Sequence, residues 1–306
     1  MRINFPKIII SLFFIFLIII IFTNTDIVRD TIILSFDLWA KRVFPALFPM
    51  FVISDVLIKF GDANVMGRIF SSFFKKLFKT SGLSAYVMIM SLLSGTPSNA
   101  IFIRDLYDSS YLTINDANKI LSFSFFPSPI FLYTFLYLIF NDYTIALKII
   151  VICYLGNIII GILFRNYNQS EYTSGIIPET TSETFSGILT SSIKKSMSTL
   201  IMILGTITFF ILIANLINET FDLNMVVNSI FKGGLELTSG LNSMINLNIG
   251  VKLKAMMAAT FISFGGLSIH MQIKSVINDT PISYNRFLVA RIIHTIISIV
   301  LILFFF

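Results

Sequence analysis

Long apolar runs are the feature that most constrains how this chain can fold. A helix needs roughly 20 apolar residues to cross the hydrocarbon core of a bilayer. No water is available there, so backbone N–H and C=O groups must be paired within the protein, which restricts spanning structures to helices and closed barrels. The sequence contains six apolar runs of helical span length: 5–22, 39–60, 117–140, 143–164, 195–217 and 284–305. These runs predict an all-α, polytopic membrane protein.

The composition agrees with this class. Hydrophobic residues make up 56% of the 306 residues and charged residues only 12%, whereas a soluble domain is about one-quarter charged. The run at 5–22 continues into a polar stretch without a small-residue cleavage pattern, so we expect an uncleaved first span. Cys153 is the single cysteine. A disulfide or thiolate metal site is therefore not expected, and we predict neither a metal nor a cofactor.

The net charge of +6 does not indicate a nucleic-acid partner, because part of it is concentrated in one amphipathic stretch at 64–79. Cationic and apolar residues are interleaved there: Arg68, Lys75, Lys76 and Lys79 lie among Ile69, Phe70, Phe73, Phe74, Leu77 and Phe78. This pattern is typical of a helix that lies in the cytoplasmic interface and is attracted to anionic lipid. We therefore expect the lipid bilayer, and no nucleic acid, as a partner.

Two further apolar segments, 83–108 and 251–278, are each interrupted at glycine. A constant offset of 170 (265 − 95) superposes them without gaps and gives three matched pairs: Gly95 with Gly265, Ser98 with Ser268, and Arg104 with Lys274. Broken helices at matching positions of two halves point to the binding site of a repeat-built transporter, because backbone groups freed from the helix can contact a solute. The matched breaks predict a carrier with two repeats and broken or re-entrant helices.

The distribution of Lys and Arg predicts how the two repeats are oriented. We first assume that each broken segment enters the membrane and leaves it again on the same side. The positive-inside rule then predicts that the first repeat enters the membrane from outside and the second from inside. The repeats are then inverted, as in many secondary carriers. The same count places four basic residues outside, against the rule. If a broken segment crosses the membrane instead, the side assigned to every later segment is reversed. These four are Lys252, Lys254, Lys274 and Arg286.

This organisation divides the chain into four parts. They are an N-terminal span and loop at 1–38, a first repeat at 39–142, a linking span with a polar loop at 143–194, and a second repeat at 195–306. The polar loop, at 166–191, is rich in Thr, Ser and Glu, and we expect it to connect the two halves.

The first break has the residues of a helix that starts inside the membrane. Gly95 permits the break, Thr96 can cap a helix, and Pro97 suits the first helical position. Free N–H groups, the positive end of the helix dipole and the hydroxyls of Thr96 and Ser98 together make an uncharged anion site. Asn99 completes this candidate binding segment.

The second break repeats the arrangement with less polarity, in Gly265, Gly266 and Ser268. Two such termini from inverted halves suit a small solute with two anionic groups. The other interpretation is that both are kinks in ordinary helices. Arg104 and Lys274 follow the aligned glycines by nine residues, near the membrane boundary. There they either anchor the helices at the interface or attract anions at the two entrances.

Other polar residues in apolar surroundings are candidates for the same cavity. Pro127 and Pro129 interrupt the run at 117–140, and serine hydroxyls and loosened carbonyls near them either line the cavity or satisfy a proline kink. The candidates are Ser122, Ser124, Ser128 and, in the next span, Asn157, which is either a contact between helices or a solute ligand.

His270 and His294 are the only histidines, and both lie in apolar segments. Histidine titrates near physiological pH, so either residue is a candidate carrier of a coupling proton, with packing as the alternative role. The apolar cores of the two broken segments contain no carboxylate. A cation site built on a buried acid is therefore not expected there, and Asp55 in the second apolar run is the best exception.

Four stretches of the sequence resemble one known family. They are Leu47–Ser54 (LFPMFVIS), Ser94–Ser98 (SGTPS), Gly234–Leu241 (GLELTSGL) and Ser263–Gln272 (SFGGLSIHMQ). In this order, from about residue 40 onward, they resemble the Gate, or nucleoside-recognition, family, and within it the sporulation integral membrane branch. Where that family usually has Gly-Tyr-Pro-Ser-Gly, this sequence has Thr96 and Asn99.

The resemblance implies a carrier related in design to concentrative nucleoside transporters, in which hairpins and broken helices hold the solute at mid-membrane. For the sporulation branch it implies movement of dipicolinate, a small aromatic dicarboxylate, into the developing spore. The location would be a bacterial cell membrane or the forespore membrane, and a homo-oligomer is compatible with it. Thr96 and Asn99 alter the bulk and hydrogen bonding at the expected site, which leaves the substrate open.

Three other functions stay open. A nucleoside or nucleobase carrier would need amide and hydroxyl groups, as in Asn99, Asn118, Asn157 and Gln272. An intramembrane serine hydrolase would pair Ser98 with one of the histidines, but the sequence has neither a Gly-x-Ser-x-Gly elbow nor a His-Glu-x-x-His pair. The third alternative is a scaffold that holds partner proteins in a spore membrane.

We therefore predict a small-anion carrier, not an enzyme. Its midplane site would comprise 94–99 and 263–270, supported by the kinked stretch 122–129. One repeat would rock against the other to give alternating access.

Overall fold

The computed structural model describes residues 5–167 and 184–306. Every regular element in these two ranges is helical, as predicted. The middle of the predicted polar loop at 166–191 lies outside the described residues. The helices are α1 Phe5–Thr23, α2 Thr25–Leu38, α3 Phe44–Phe60, α4 Asp62–Leu77, α5 Leu83–Ser94, α6 Ser98–Asp108, α7 Ile114–Phe123, α8 Pro129–Phe140, α9 Tyr143–Leu163, α10 Phe185–Phe221, α11 Met225–Leu235, α12 Leu237–Ser243, α13 Val251–Phe264, α14 Gly266–Ile277 and α15 Tyr284–Phe305, with a π-helical turn Trp39–Val43 between α2 and α3.

Contacts between distant helices identify the helix ends that lie together at one end of the molecule. The Arg165 guanidinium donates to the Lys76 carbonyl at the end of α4. Arg104, near the end of α6, donates to the Val276 carbonyl near the end of α14. Lys195, near the start of α10, pairs with Asp105 of α6 at 2.6 Å. We call the end that contains Lys76, Arg104, Arg165 and Lys195 the basic end.

The other helix ends meet at the opposite end of the molecule. Lys148 near the start of α9 donates to the Phe305 carbonyl at the end of α15. Lys252 at the start of α13 donates to the Leu303 carbonyl. We call the end that contains Lys148, Lys252 and Phe305 the opposite end.

These contacts define the path of the first half of the chain. The continuous α2–α3 helix runs to the basic end, and α4 connects it to α5. Helices α5 and α6 form a hairpin that enters from the basic end and returns to it. The pair α7–α8 then runs to the opposite end through a non-helical break at 124–128, and α9 returns.

The second half follows the same order in the opposite direction. Helix α10 runs to the opposite end, and α11 and α12 form a hairpin from that end, joined by a Ser229–Ser243 hydroxyl hydrogen bond of 2.8 Å. The pair α13–α14 crosses to the basic end through the break at Gly265, and α15 returns. The two halves therefore have inverted topology.

The structure corrects the pairing of the two breaks. The predicted superposition placed 83–108 on 251–278, but the first segment is a hairpin, whereas 251–277 forms one candidate span of 27 residues. By topology the hairpin α5–α6 corresponds to α11–α12, and α7–α8 corresponds to α13–α14. After a Gly-centred break in an apolar sequence the chain can either turn back as a hairpin or continue across the membrane. The local sequence pattern is the same in both cases, so it could not distinguish them.

This crossing explains two of the four basic residues that the sequence count placed on the wrong side. Because α14 ends at the basic end, Lys274 and Arg286 lie there with the other cations. Lys252 and Lys254 stay at the opposite end. The positive-inside rule then predicts that the basic end is cytoplasmic.

The N-terminal helix is less integrated than a packed span. Helix α1 is apolar, and the axis of its span lies at 98° to the segment formed by α2 and the π-helical turn. Among its described side chains only Leu17 and Ile20 are buried. The predicted first span is therefore a helix, and a sharp bend separates it from the helical body.

The buried apolar residues form two clusters. The larger one contains residues of both halves, from Ile58 near the end of α3 to α15. The smaller one lies between α3 and α10, which are related by the inverted topology, and consists of Leu47, Phe51, Leu200, Ile203, Ile207 and Ile211. The two repeats are thus not separate packing units, because the larger core joins them and the α3–α10 pair forms the second.

The topology can be tested by cysteine labelling in a Cys153→Ala background. Ser109→Cys, after α6, and Thr144→Cys, at the start of α9, place thiols on exposed positions at the two ends. We expect a membrane-impermeant maleimide to label Thr144→Cys from outside the cell and Ser109→Cys only in inside-out vesicles. Labelling of both from the same side would contradict the assigned ends.

Candidate functional site

Four interruptions of helices meet in the interior. They are the tip of the α5–α6 hairpin at 94–99, the break at 124–128, the tip of the α11–α12 hairpin at Glu236, and the break at 264–266. A Cβ built on Gly95 would lie 3.0 Å from the Ser128 backbone nitrogen, and one on Gly265 would lie 2.7 Å from the Phe125 ring. A Cβ on Gly266 would lie 3.2 Å from the Glu236 backbone. The two breaks named in the sequence thus contact the same short segment, 125–128.

Glycine is required at these breaks by the backbone conformation. Gly95 has φ 83° and ψ −168°, in a region that is essentially restricted to glycine. Gly265 and Gly266 have φ of 93° and 73°, where a Cβ would be strained. The absence of a side chain also allows the close contacts with the neighbouring breaks.

The first helix start differs from the prediction in its register. Helix α6 begins at Ser98, and Pro97 occupies the N-cap position, without a side-chain cap hydrogen bond. Thr96 is therefore not the cap, and Pro97 is not at the first helical position. The Ser98 hydroxyl instead contacts Ser94 Oγ at 2.6 Å and donates to the Gly95 carbonyl. These contacts lie within the hairpin tip and join its two sides.

A cavity lies between these breaks and the α3–α10 pair. It holds ≈ 80 Å³ of space for water-sized molecules, enough for several waters at about 10–15 Å³ each. Its lining residues are Arg42, Val43, Leu47, Ser94, Gly95, Thr96, Pro127, Ser128, Phe131, Ile203, Ile207, Glu236, Leu237, Thr238, Ile269 and Gln272. Of the candidates for the anion site, Gly95, Thr96 and Ser128 line it directly, and so does Gln272, which was named for the nucleoside alternative.

The cavity is halfway between the two ends. Helix α5 has 12 residues from the basic end to the hairpin tip, and α8 has 12 residues from the break to the opposite end. At 1.5 Å per residue each corresponds to about 18 Å. The breaks therefore lie near the midplane of any bilayer that surrounds the helices.

Glu236 is the principal residue that the sequence analysis missed. Its side chain is buried, and the two carboxylate oxygens accept the Thr238 and Ser239 N–H groups at 3.0 and 2.6 Å, which caps α12. No carboxylate was expected within the apolar cores of 83–108 and 251–278, and Glu236 lies outside both segments. An acid between Leu235 and Leu237, followed by Thr-Ser, was the available signal for a capped hairpin tip.

Among the described residues, two charged ones of opposite sign line the cavity. Arg42 of the π-helical turn lies over the Phe135 ring at 4.9 Å, and Glu236 lies at the α12 hairpin tip. Gln272 also faces the cavity, and its amide donates to Ser268 Oγ at 3.2 Å. Ser268, a predicted ligand, therefore does not line the cavity but holds the Gln272 side chain that does.

Arg291 of α15 holds the break of α7–α8 together. Its guanidinium is fully buried and donates to the Ser122 carbonyl and to Asn157 Oδ1. Asn157 in turn donates to the Phe125 carbonyl. Carbonyls near the break thus obtain donors from α9 and α15. Asn157 is a contact between helices, as one of its two predicted roles proposed, and it does not line the cavity.

The remaining serine candidates also have structural partners. Ser122 Oγ donates to the Asn118 carbonyl at 2.9 Å. Ser124 Oγ accepts the Asn99 amide at 3.4 Å, which links the hairpin tip to the broken helix. Asn99 Oδ1 is buried and has no hydrogen-bond partner within the described ranges.

The two histidines differ in their freedom to titrate. His294 Nε2 lies 2.8 Å from the Cys153 carbonyl and its Nδ1 lies 3.0 Å from an Arg291 nitrogen. Because a carbonyl only accepts and a guanidinium only donates, this arrangement requires a neutral His294. His270 contacts the Phe264 carbonyl and the Tyr284 hydroxyl, both at 3.0 Å. A hydroxyl can donate or accept, so only His270 keeps both protonation states open.

Arg104 and Lys274 do not mark two entrances, because both lie at the basic end. Arg104 pairs with Asp108 of its own helix and with Asp279 at 2.7 Å, and it holds the pKa of the exposed Asp279 carboxyl below its usual value. Lys274 lies over the Tyr284 ring at 5.6 Å.

The last turn of α6 is tied to its surroundings on two sides. Arg104 binds the α14 end, and its neighbour Asp105 pairs with Lys195 of α10. Lys195 also pairs with the buried Asp55 of α3 at 2.7 Å, and Lys59 reaches the same carboxylate at 2.8 Å. In this conformation the α5–α6 hairpin is bound at the basic end to α14 of the larger apolar cluster and to α10 of the smaller one.

Comparison with known proteins gives one curated relative. The chain is similar to the sporulation integral membrane protein YlbJ of Bacillus subtilis (strain 168), with 23% identity over 335 aligned positions that cover 96% of this chain and 81% of the relative. No family model matches the chain, so the Gate-family resemblance stays a prediction. No solved structure matches it either. The similarity and the apolar spanning helices identify an integral membrane protein.

Replacement of Arg291 tests the role assigned to it. Arg291→Leu leaves the buried Ser122 carbonyl and Asn157 Oδ1 without donors, at about 1–3 kcal/mol for each unpaired group. We expect the thermal midpoint of the detergent-solubilised protein to fall by several degrees. Arg286→Leu is the matched control, since Arg286 lies at the basic end with its guanidinium over the Tyr167 ring at 4.5 Å. Equal midpoints for the two variants would show that Arg291 does not hold the break.

Proposed function

We propose that this protein is a membrane carrier for a small organic anion and that the midplane cavity is its binding site. The observation that carries this proposal is the meeting of four helix interruptions, two from each inverted half, at one cavity. Interrupted helices are tolerated inside a membrane where their free backbone groups are buried in protein or line a cavity. We further propose that it acts without enzymatic chemistry, since Ser98 and both histidines are engaged with other partners.

Positive groups converge on one side of the cavity. Arg42 supplies a full charge, and α8 begins beside it, with Ser128 at an N-cap that makes no side-chain hydrogen bond. The positive end of the α8 dipole is therefore free to act on a solute anion. The Thr96 hydroxyl adds a donor that carries no charge, whereas the Ser94 hydroxyl already donates to the Met90 carbonyl.

Glu236 restricts where the anion can bind. The N–H groups at the start of α12 are already occupied by the Glu236 carboxylate, so this helix terminus does not serve the solute. A carboxylate of the solute would be repelled from this side and held near Arg42. A dicarboxylate therefore needs Glu236 protonated or its second carboxylate directed away.

Dipicolinate is the substrate that we propose for this site. The similar Bacillus protein is a sporulation membrane protein by name, and dipicolinate is the small aromatic dicarboxylate implied by the family resemblance. Phe131 offers an aromatic face beside Arg42 and the α8 terminus. The forespore membrane is the location that follows from this substrate.

A nucleoside or nucleobase is the second candidate solute. Glu236, Thr238 and Gln272 face the cavity together and offer hydrogen-bond acceptors and donors to a neutral polar molecule. This side of the cavity suits a nucleoside better than a dianion. The charge at Arg42 favours the anion.

Alternating access requires the cavity to widen, because ≈ 80 Å³ is below the about 300–1,000 Å³ of ordinary ligand sites. Rocking of one repeat against the other would disrupt the larger core, which contains helices from both. We propose instead that the α3–α10 pair and the larger core move relative to each other. The Asp105–Lys195 ion pair crosses this boundary and would open in the movement.

Uptake into proteoliposomes tests the proposed function. We expect the native protein to accumulate labelled dipicolinate and Arg42→Gln to reduce uptake at least about ten-fold, since a hydrogen bond to a charged group contributes about 1.5–3 kcal/mol. Arg29→Gln, exposed near the start of α2, is the matched control and should transport normally.

Two outcomes would move the protein to another class. Uridine uptake without dipicolinate uptake, lost in Glu236→Gln but kept in Arg42→Gln, would establish the nucleoside carrier. Absence of flux for both solutes, with a folded protein, would favour the scaffold alternative.

A further inference from the structure

An apolar groove separates α4 from α5 and α9 near the basic end. It has a volume of ≈ 510 Å³, several times that of the midplane cavity. All nine lining side chains are apolar: Phe70, Phe73, Phe74, Leu77, Phe78, Met88, Ile89, Leu92 and Ile158. The volume falls within the range of about 300–1,000 Å³ that is usual for ligand sites.

The groove opens toward the lipid-facing surface. Phe73 is 57% exposed, and Leu93 and Leu155, which continue the surface toward the midplane, are 52% and 44% exposed. Each belongs to a helix that lines the groove. A hydrocarbon chain of a surrounding lipid can therefore enter from the bilayer without crossing a polar rim.

The end of the groove nearest the basic end carries positive charge. Arg68 and Lys76 are exposed on the polar side of α4. Arg165 reaches the same place from the end of α9 and donates to the Lys76 carbonyl. Its buried Nε has no hydrogen-bond partner within the described ranges. The groove thus combines an apolar interior with a cationic rim at one end.

We propose that this groove binds one anionic phospholipid, with an acyl chain between α4, α5 and α9 and the phosphate among Arg68, Lys76 and Arg165. Juxtamembrane Lys and Arg attract anionic headgroups, and burial of each CH₂ group favours binding of the chain. A helix of a partner protein would fill the apolar groove but would not use the cationic rim. The charge complementarity therefore assigns a lipid.

Bound lipid would support the site-forming elements of the first half. Phe78 at the base of the groove stacks on Phe123, with ring centroids 4.6 Å apart. Phe123 is the last residue of α7 before the break that borders the midplane cavity. The lipid site is thus connected through two stacked rings to that break, and its existence does not depend on the proposed transport function.

Native mass spectrometry of the full-length protein tests the proposal. Phosphatidylglycerol and phosphatidylcholine with identical acyl chains are added separately to protein in mild detergent. We expect one phosphatidylglycerol to bind, with a preference over phosphatidylcholine that falls about five-fold for each charge removed in Lys76→Gln and Arg165→Gln. Lys252→Gln, exposed at the opposite end, is the control and should keep the preference.

A second variant tests the acyl-chain position. Met88→Trp places a large ring in the groove and should abolish the single tight phosphatidylglycerol adduct, while Ile89→Trp provides an independent version if the first does not fold. The thermal stabilisation by phosphatidylglycerol should disappear in parallel. Equal binding of the two lipids, or an unchanged adduct in both tryptophan variants, would overturn the proposal. A dimer that dissociates on Met88→Trp would instead assign the groove to a second copy of the chain.

Discussion

The structure depends on the pairing of backbone groups where helices are interrupted inside a membrane. No water is available in the hydrocarbon core, so each break needs donors and acceptors from neighbouring helices. Arg291 and Asn157 supply donors to carbonyls near the break at 124–128. His270 contacts the Phe264 carbonyl at the second break, and Glu236 accepts the N–H groups of α12. Polar side chains in apolar segments thus keep the four interruptions together.

Much of this architecture followed from the sequence. The apolar runs predicted an all-helical membrane protein, the spacing of Arg68, Lys75 and Lys76 predicted the amphipathic helix that became α4, and the glycines marked real breaks. The pairing of the halves was wrong, because Gly95 and Gly265 look alike locally while one reverses the chain and the other continues it. The direction that the chain takes after each break is set by long-range contacts such as those of Arg104 with Val276 and Asp279. Such contacts cannot be read from the local sequence.

Some of the residues that the sequence named as site candidates line the midplane cavity, and others do not. Gly95, Thr96 and Ser128 line the cavity, whereas Ser98, Asn99, Ser124 and Asn157 connect the elements around it. Arg42 and Glu236 were missed because they are distant in sequence from the breaks they approach. Their opposite charges in the lining of one cavity give a physical basis for choosing between a dianion and a neutral solute. The boundary between the two apolar cores gives a place where movement can occur.

The central claim is that the solute is held at the meeting point of the four breaks, and protection of a cysteine at Ser128 tests it most directly. In a Cys153→Ala background, the rate of Ser128→Cys modification by a small thiol reagent is measured in proteoliposomes with and without dipicolinate. We predict that dipicolinate slows this reaction while leaving the rate at Thr144→Cys unchanged. An equal rate at Ser128→Cys with saturating dipicolinate, in protein that transports it, would contradict the account.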